Sequence, residues 1–269
     1  MIGAMPERIS GGDAVRVGFE AFGVHVCVEA PAGPLADGLT GALPPQRSES
    51  DPQGAAVSFA LVGRAGEASI VKQGEPFTQA IPLDTALEVL EREIRIEIAL
   101  RAPEVIFVHA GVVAAGDRAL VLPGASFSGK TTLVAALADA GATYFSDEYA
   151  VLDADGNVHP YARPLSVRVN GVHQRHDAGQ RGWDVGEHPV PVKAVVVASY
   201  SDGATWNPQP LSKGAAVLAL LANTVPAQTR PAESLNAATR AVEDAVLQQG
   251  QRGDASRIAP LLLDALRRA

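Results

Sequence analysis

Gly124-Ala125-Ser126-Phe127-Ser128-Gly129-Lys130-Thr131 sets four residues between two glycines and follows the second at once with lysine and threonine. The spacing has a physical purpose. Glycines let the backbone bend until successive N–H groups point at phosphate oxygens, and a helix starting there adds its positive end. Lys130 is long enough to reach the β and γ phosphates, and the Thr131 hydroxyl is an oxygen of the kind Mg²⁺ takes alongside phosphate. Thr132 completes the run. The chemistry implied is binding of a nucleoside triphosphate, ATP, with Mg²⁺. A chance turn carrying a surface lysine is the competing explanation, and the flanks weigh against it: Ala119 to Pro123 is an apolar strand candidate, and Lys130 to Ala140 a helix candidate closed by Gly141.

Asp147 and Glu148 follow Lys130 by seventeen and eighteen residues, at the end of the strand candidate Ala142 to Ser146. A helix rising ~1.5 Å per residue carries the chain about 16 Å away from the loop, and the strand brings it back. Such a pair can hold metal with one member and accept a hydroxyl proton with the other, or can be two exposed strand-end acids. The short spacing disfavours ATPases whose acids lie much further from the loop, and no Asn-Lys-x-Asp guanine-reading segment occurs. His109, at the end of the strand candidate Val105 to Val108, is either a structural histidine or part of the site. Arg163 and Arg168 suit charge on phosphoryl oxygens, or are exposed strand arginines. The polar segment from Arg175 to Pro191 is either a lid over substrate or a surface excursion. His173 and His176 have helical metal spacing but no completing ligands nearby, so zinc is not expected. Arg252-Gly253-Asp254 reads as a turn between helices.

Elements to hold these residues can be drawn from periodicity. Arg16 to Ala30, Ala56 to Val62 and Glu67 to Lys72 read as strands, while the Pro-, Gly- and Ser-rich stretch 31–54 reads as a long mobile connection. Leu87, Leu90, Ile94 and Ile98 share a helical stripe, with Thr85 and Glu88 placed for a capping box. Lys193 to Tyr200 is a further buried strand. Beyond Ser212 the pattern is helical to the end, with Leu218, Leu221, Val242, Val246, Leu262 and Leu266 as core contacts. The expectation is a β-rich N-terminal lobe over 1–103 and an α/β domain over 104–269 with a helical C-terminal tail.

At 269 residues with a formal net charge of −8 and a pI near 5.3, the chain lacks the basic balance that nucleic-acid binding usually needs. The single cysteine, Cys27, reads as a small buried hydrophobe in a reducing compartment. With no basic-then-apolar leader pattern at the start and no run near ~20 apolar residues, the expectation is a soluble, cytoplasmic protein without a membrane partner.

The stretch Val105 to Val151, with His109-Ala110, GASFSGKTT, Gly141-Ala142 and Ser146-Asp147-Glu148 in that order, resembles the catalytic domain of HPr kinase/phosphorylase, and still more the wider HPr kinase-like group. The match spans roughly the middle quarter of the chain, and more weakly Ala162 to Arg168. The resemblance implies an α/β P-loop kinase core of that type, with His109 beside the transferred phosphate and Asp147 as catalytic base toward a serine hydroxyl. Lys130 and Glu148 join them as catalytic candidates, Thr131 and Asp147 as metal ligands. Two departures stand out: Glu148 replaces the second aspartate of the family's pair, and Ser166 occupies the place of a metal-associated glutamate. Residues 1–103 do not resemble the regulatory domain of true HPr kinases, so HPr is not the expected substrate. The expected function is ATP-dependent transfer of the γ-phosphate to a hydroxyl, a serine of a peptide or protein. Transfer to a small hydroxyl metabolite such as free serine, and a nucleotide-sensing module without transfer, are the alternatives. A homo-oligomer is expected by resemblance only.

Overall fold

The computed structural model describes residues 14–64, 66–124, 128–169 and 172–269, with backbone alone for 166–169 and 172–175. Contacts divide the chain into two units, Met1–Pro103 and Glu104–Ala269.

In the first unit, β1 (Ala14–Ala21) and β2 (Val24–Pro31) form an antiparallel hairpin. Its turn residues Phe22 and Gly23 both have positive φ, the conformation whose twist suits a two-residue hairpin turn. Phe19 and Ala21, then Val24, Val26, Val28 and Ala30, are buried at alternate positions, so one face of the hairpin fills the core. Cys27, on the other face, is only half-buried. The stretch expected as a mobile connection contains α1 (Pro34–Asp37) and α2 (Leu39–Ala42). Leu35, Leu39 and Ala42 are buried there, and that apolar anchoring outweighs the turn-forming composition around them. β3 (Ser48–Glu49), β4 (Val57–Arg64), β5 (Glu67–Lys72), β6 (Glu75–Pro76) and β7 (Ile81–Pro82) complete a seven-stranded sheet in which β2 and β4 run parallel.

α3 (Leu83–Arg101) buries Leu90, Ile94 and Ile98 of the anticipated stripe, while Ala86 rather than the half-buried Leu87 fills its first turn. Glu93 and Glu97 share that face and meet Lys72 at 3.2 and 2.7 Å. The anticipated capping box does not form. β7 delivers the chain into the helix at Leu83, whose N–H is met by the Gly66 carbonyl at 2.9 Å, leaving Thr85 and Glu88 exposed inside the first turns.

The second unit opens with β8 (Ile106–Ala115), β9 (Arg118–Pro123), α4 (Lys130–Asp139), β10 (Thr143–Ser146) and β11 (Tyr149–Leu152). It continues through β12 (Asn157–His159), β13 (Leu165–Val169), β14 (Val172–His176), β15 (Val190–Tyr200) and β16 (Gln209–Pro210). α5 (Lys213–Leu221), α6 (Pro231–Val242), β17 (Val246–Arg252) and α7 (Ala255–Arg268) close it. β9 pairs antiparallel with one edge of β8, and β10 and β11 share the other edge in succession. β15 pairs in parallel with both β9 and β17.

Alternation along β9 buries both faces of this eight-stranded sheet. Leu120 and Leu122 pack with Leu133, Val134 and Leu137 of α4 and Leu262, Leu263 and Leu266 of α7. Ala119 and Val121 pack on the opposite side with Leu220 of α5 and Ala237, Ala241 and Val242 of α6. α4 presses closely on β8 because Gly111 has no side chain: a Cβ there would meet Val134 Cγ2 at 2.5 Å. The architecture is thus mixed α/β with a β-rich core and C-terminal helices.

Three expectations need correction. Val246 to Arg252 is a strand, because the open parallel edge of β15 supplies it with backbone partners that a helical count cannot register. Val246 is accordingly 43 % exposed rather than core. Leu218 is 67 % exposed, since Ala216 and Leu220 occupy the inner stripe of α5. No helix among the described residues is long and apolar enough to cross a membrane.

Candidate functional site

Residues 124–129 join β9 to α4, and the turn into the helix is made by Gly129 at φ 84°, ψ 18°. That left-handed conformation suits glycine and costs other residues. Gly129, the N-cap, has no side chain to cap α4, so the helix's first N–H groups suit an anion. The Gly124 N–H reaches the His109 carbonyl at 3.5 Å, and Lys130 Nζ donates to the Gly124 carbonyl at 2.7 Å, so the loop is tied to β8 at its start and crossed by the lysine at its end. Burial pushes the Lys130 ammonium below its usual range, while Glu148 and Asp147 pull it upward. Ser128 Oγ is buried with no hydrogen-bond partner among the described residues, the situation a phosphate oxygen would relieve. Thr132 is exposed. Ala125, Ser126 and Phe127, counted with the loop from sequence, lie outside the described residues.

Asp147 and Glu148 occupy the break between β10 and β11. Ser146 makes the break: its Oγ accepts from the N–H of Glu148 at 3.1 Å and of Tyr149 at 2.9 Å, satisfying groups that have left the ladder. The Glu148 carbonyl then accepts from Ala110 N at 3.1 Å. The kink turns the Asp147 carboxylate toward α4, where Thr131 Oγ1 donates to Oδ2 at 2.9 Å. The Tyr144 hydroxyl lies 3.2 Å from Oδ1 and 2.9 Å from the Arg163 carbonyl, and donates its one proton to either. Burial is the largest influence on Asp147 and raises its carboxyl; the Thr131 bond opposes this, Glu148 adds to it, and the net shift is upward. Arg163 also favours the charged form, so this arginine is electrostatically close. Burial first, and then the charge of Asp147, push the Tyr144 phenol up, keeping it a proton donor.

His109 stands inside β8, opposite Tyr149 of β11, rather than at a strand end. The strand runs on because β9 and β10 both pair with its second half. His109 Nδ1 lies 2.8 Å from the Glu148 carbonyl, which can only accept, so that nitrogen carries a proton. Nε2 is 3.7 Å from Glu148 Oε1. Loop, acidic pair and histidine therefore converge at one end of the sheet.

No protein-family model matches the chain, and no curated protein does. Among solved structures, the Hpr(Ser) kinase/phosphatase from Coxiella burnetii aligns with 60 % of this chain and 93 % of its own, at 15 % identity and a TM-score of 0.33. That is a distant structural relationship and assigns no family.

Thr131 and Asp147 form a hydroxyl–carboxylate pair of the type Mg²⁺ uses together with phosphate oxygens and water. No group of three or more His, Cys, Asp or Glu poised for a metal occurs among the described residues. His173 and His176 lie on strand β14 rather than a helix, because their segment pairs with β13. The side chains of Ser166 and Arg168 lie outside the description. The 175–191 segment is pinned to β10 and to the end of α4: Tyr144 N donates to the Asp184 carbonyl at 2.8 Å, and buried Trp183 donates Nε1 to Asp139 at 2.8 Å.

Sequence reasoning passed over three residues. Tyr144 and Ser146 read as ordinary strand positions, although a serine two places before a glutamate is a known turn-former. Arg252 was assigned to a turn between helices; it ends β17, is 3 % exposed, and donates Nη2 to the Gly129 carbonyl at 2.8 Å. Burial lowers its guanidinium's basicity. No local signal marks that contact, which joins residues 123 positions apart.

Proposed function

We propose that this chain is an ATP-dependent kinase that transfers the γ-phosphate to a hydroxyl, with serine of a peptide or protein as the acceptor class. One observation carries the proposal: the Thr131–Asp147–Tyr144 chain of hydrogen bonds beside the uncapped first turn of α4. The resemblance of residues 105–151 to HPr kinase-like proteins points the same way.

In the proposed reaction the acceptor oxygen attacks the γ-phosphorus, the bond to the β-phosphate's bridging oxygen breaks, and ADP leaves. Asp147 takes the hydroxyl proton. A carboxyl held above its ordinary range is a better base than an exposed one, and the Thr131 hydroxyl aims it. Lys130 follows the charge toward the leaving oxygens, and His109 with Glu148 borders the transferred group. Thr131 and Asp147 would hold Mg²⁺, whose chemistry here is to offset charge on the phosphate oxygens. The site works by position and electrostatics rather than by covalent participation.

A nucleotide-sensing module is the second reading, favoured by Ser166 and Glu148, the two positions that depart from the pattern of HPr kinase-like proteins. Transfer from γ-labelled ATP with Mg²⁺ to a pool of peptides and hydroxyl metabolites separates the two. Label should reach an acceptor in wild type and fall by about 10²–10⁴-fold in Asp147→Asn, the range of a lost general base. Lys130→Ala should lose nucleotide binding as well. Lys130-dependent binding with no label moved supports the sensor, and absence of any nucleotide binding refutes both readings.

A further inference from the structure

We infer that the outer edge of β1 is a docking site for an extended segment of the acceptor polypeptide, which adds to the first unit's sheet as a further strand. The inference rests on the peptide-kinase reading proposed above and deepens it by naming how such an acceptor is held.

The pairing of β1 decides which of its backbone groups face outward. The Gly18 carbonyl accepts from Ser50 N at 3.0 Å, on the β3 side. Every second residue of a strand turns its N–H and C=O to the same side, so those of Ala14 and Arg16 also point away from β2. β3 pairs with β1 only at Phe19 and Glu20. Continuing its register would set Pro52 against Arg16, and proline has no N–H to give. The outward groups of Ala14 and Arg16 therefore have no backbone partner among the described residues. Other edges are covered: β5 by β6 and β7, and β10 by the backbone of Asp184 and Gly186. An uncovered edge is a template for another strand, and only an extended polypeptide brings donors and acceptors at the strand's spacing.

A groove of about 560 Å³ runs beside this edge. Val15, Val17 and Phe19, on one face of β1, line it together with Leu39 of α2 and Leu43. Val15 is 39 % exposed although it shares the face that buries Phe19, so apolar surface is left to cover. An added strand sends every second side chain into this groove and the others to the face of Arg16. The Arg16 side chain is 63 % exposed and is bonded to Glu29 of β2 at 2.8 Å; among the described residues no acid meets it from the open side. A carboxylate directly across from it on the incoming strand supplies the missing charge. The occupant is therefore a peptide with apolar residues at alternate positions and an acid between them.

The probe is a synthetic nonapeptide of alternating threonine and valine with glutamate in place of the central threonine, titrated calorimetrically into the full chain. Two variants accompany it, one N-methylated at the glutamate and one with glutamine there. The parent should bind, and N-methylation, which removes a ladder donor, should abolish binding. Glutamine should cost at most about fivefold, the scale of an exposed ion pair. Arg16→Ala should lose as much, and Arg16→Pro about tenfold more, because the N–H it lacks faces the incoming strand rather than β2. Unchanged binding of the methylated peptide, or no difference between Arg16→Pro and Arg16→Ala, would overturn strand addition. Hydrogen exchange at the Arg16 amide separates the other occupants. Fast exchange that slows only with peptide is expected. Protection in the free chain assigns the edge to residues 1–13 where it is independent of concentration and to a second copy where it grows with concentration, and either result overturns the proposal. Label transfer from ATP by a chain that ignores the peptide removes this docking edge and leaves the kinase; peptide binding with no label reaching any acceptor removes the kinase reading and, with it, the acceptor role of the bound strand.

Discussion

The two flanks of the first turn of α4 are built differently. On the β10–β11 flank, the Thr131 and Tyr144 hydroxyls lie 2.9 and 3.2 Å from the Asp147 carboxylate, and His109 Nδ1 lies 2.8 Å from the Glu148 carbonyl. On the β17–α7 flank, an exposed Tyr200 and a half-buried Trp206 border open space. The first flank is fixed in advance, as a site must be if it stabilises developing charge without reorganising. The second has shape and stacking surface but few completed bonds, which suits holding a ligand by fit. Gly129 belongs to both: it starts the helix and its carbonyl anchors Arg252.

Substituting that shared residue should do the most damage. Gly129→Ala puts a side chain at φ 84° and drives its Cβ into Arg252 Nη2, whose own bonds leave it little room to yield. We expect a loss of about 1–3 kcal/mol, read as a lower denaturation midpoint, together with weakened nucleotide binding. A variant of wild-type stability would mean that the two flanks are not joined through this position.

Ser146→Ala is expected to act on one flank only. It strips the Glu148 and Tyr149 N–H groups of their acceptor, at about 1–2 kcal/mol, and lets the acidic pair drift. Phosphate transfer should fall more than nucleotide affinity does. Equal falls in both would break the distinction between a fixed and an open flank.

The smallest effect concerns pH. Because burial holds the Asp147 carboxyl above its ordinary value, the folded chain binds that proton more tightly than the unfolded one. Stability is therefore greatest below the unfolded carboxylate value and falls as pH rises through the window up to the folded one. Asp147→Asn removes that loss, so its melting temperature should exceed wild type at pH 7, with the gap closing as the pH drops below the ordinary carboxylate range. A gap independent of pH would assign the change to packing instead.

The strand–turn–helix around the loop was legible because its pattern is local: the apolar run before the two glycines and the alanine-rich run after Lys130 and Thr131 announce a strand and a helix. Asp147 could be placed near the loop for a related reason, since one helix and one short strand return the chain to its starting level. Elsewhere a helical count misled. Leu218 repeats with helical spacing yet faces outward, and Val246 begins a strand.

By itself, then, the sequence determined the short-range parts of this protein: the turn from β9 into α4, the alternating strands of both units and most of the inner stripe of α3. Backbone bending, helix period and strand alternation are properties of a few adjacent residues, so a few adjacent residues display them. Tertiary structure alone decided that Tyr144 would aim Asp147, that β17 would be a strand, and that Arg252 would reach Gly129. Those outcomes depend on which edge of β15 stood open and on which distant groups needed a hydrogen-bond partner once buried, and such needs arise only when the chain has folded.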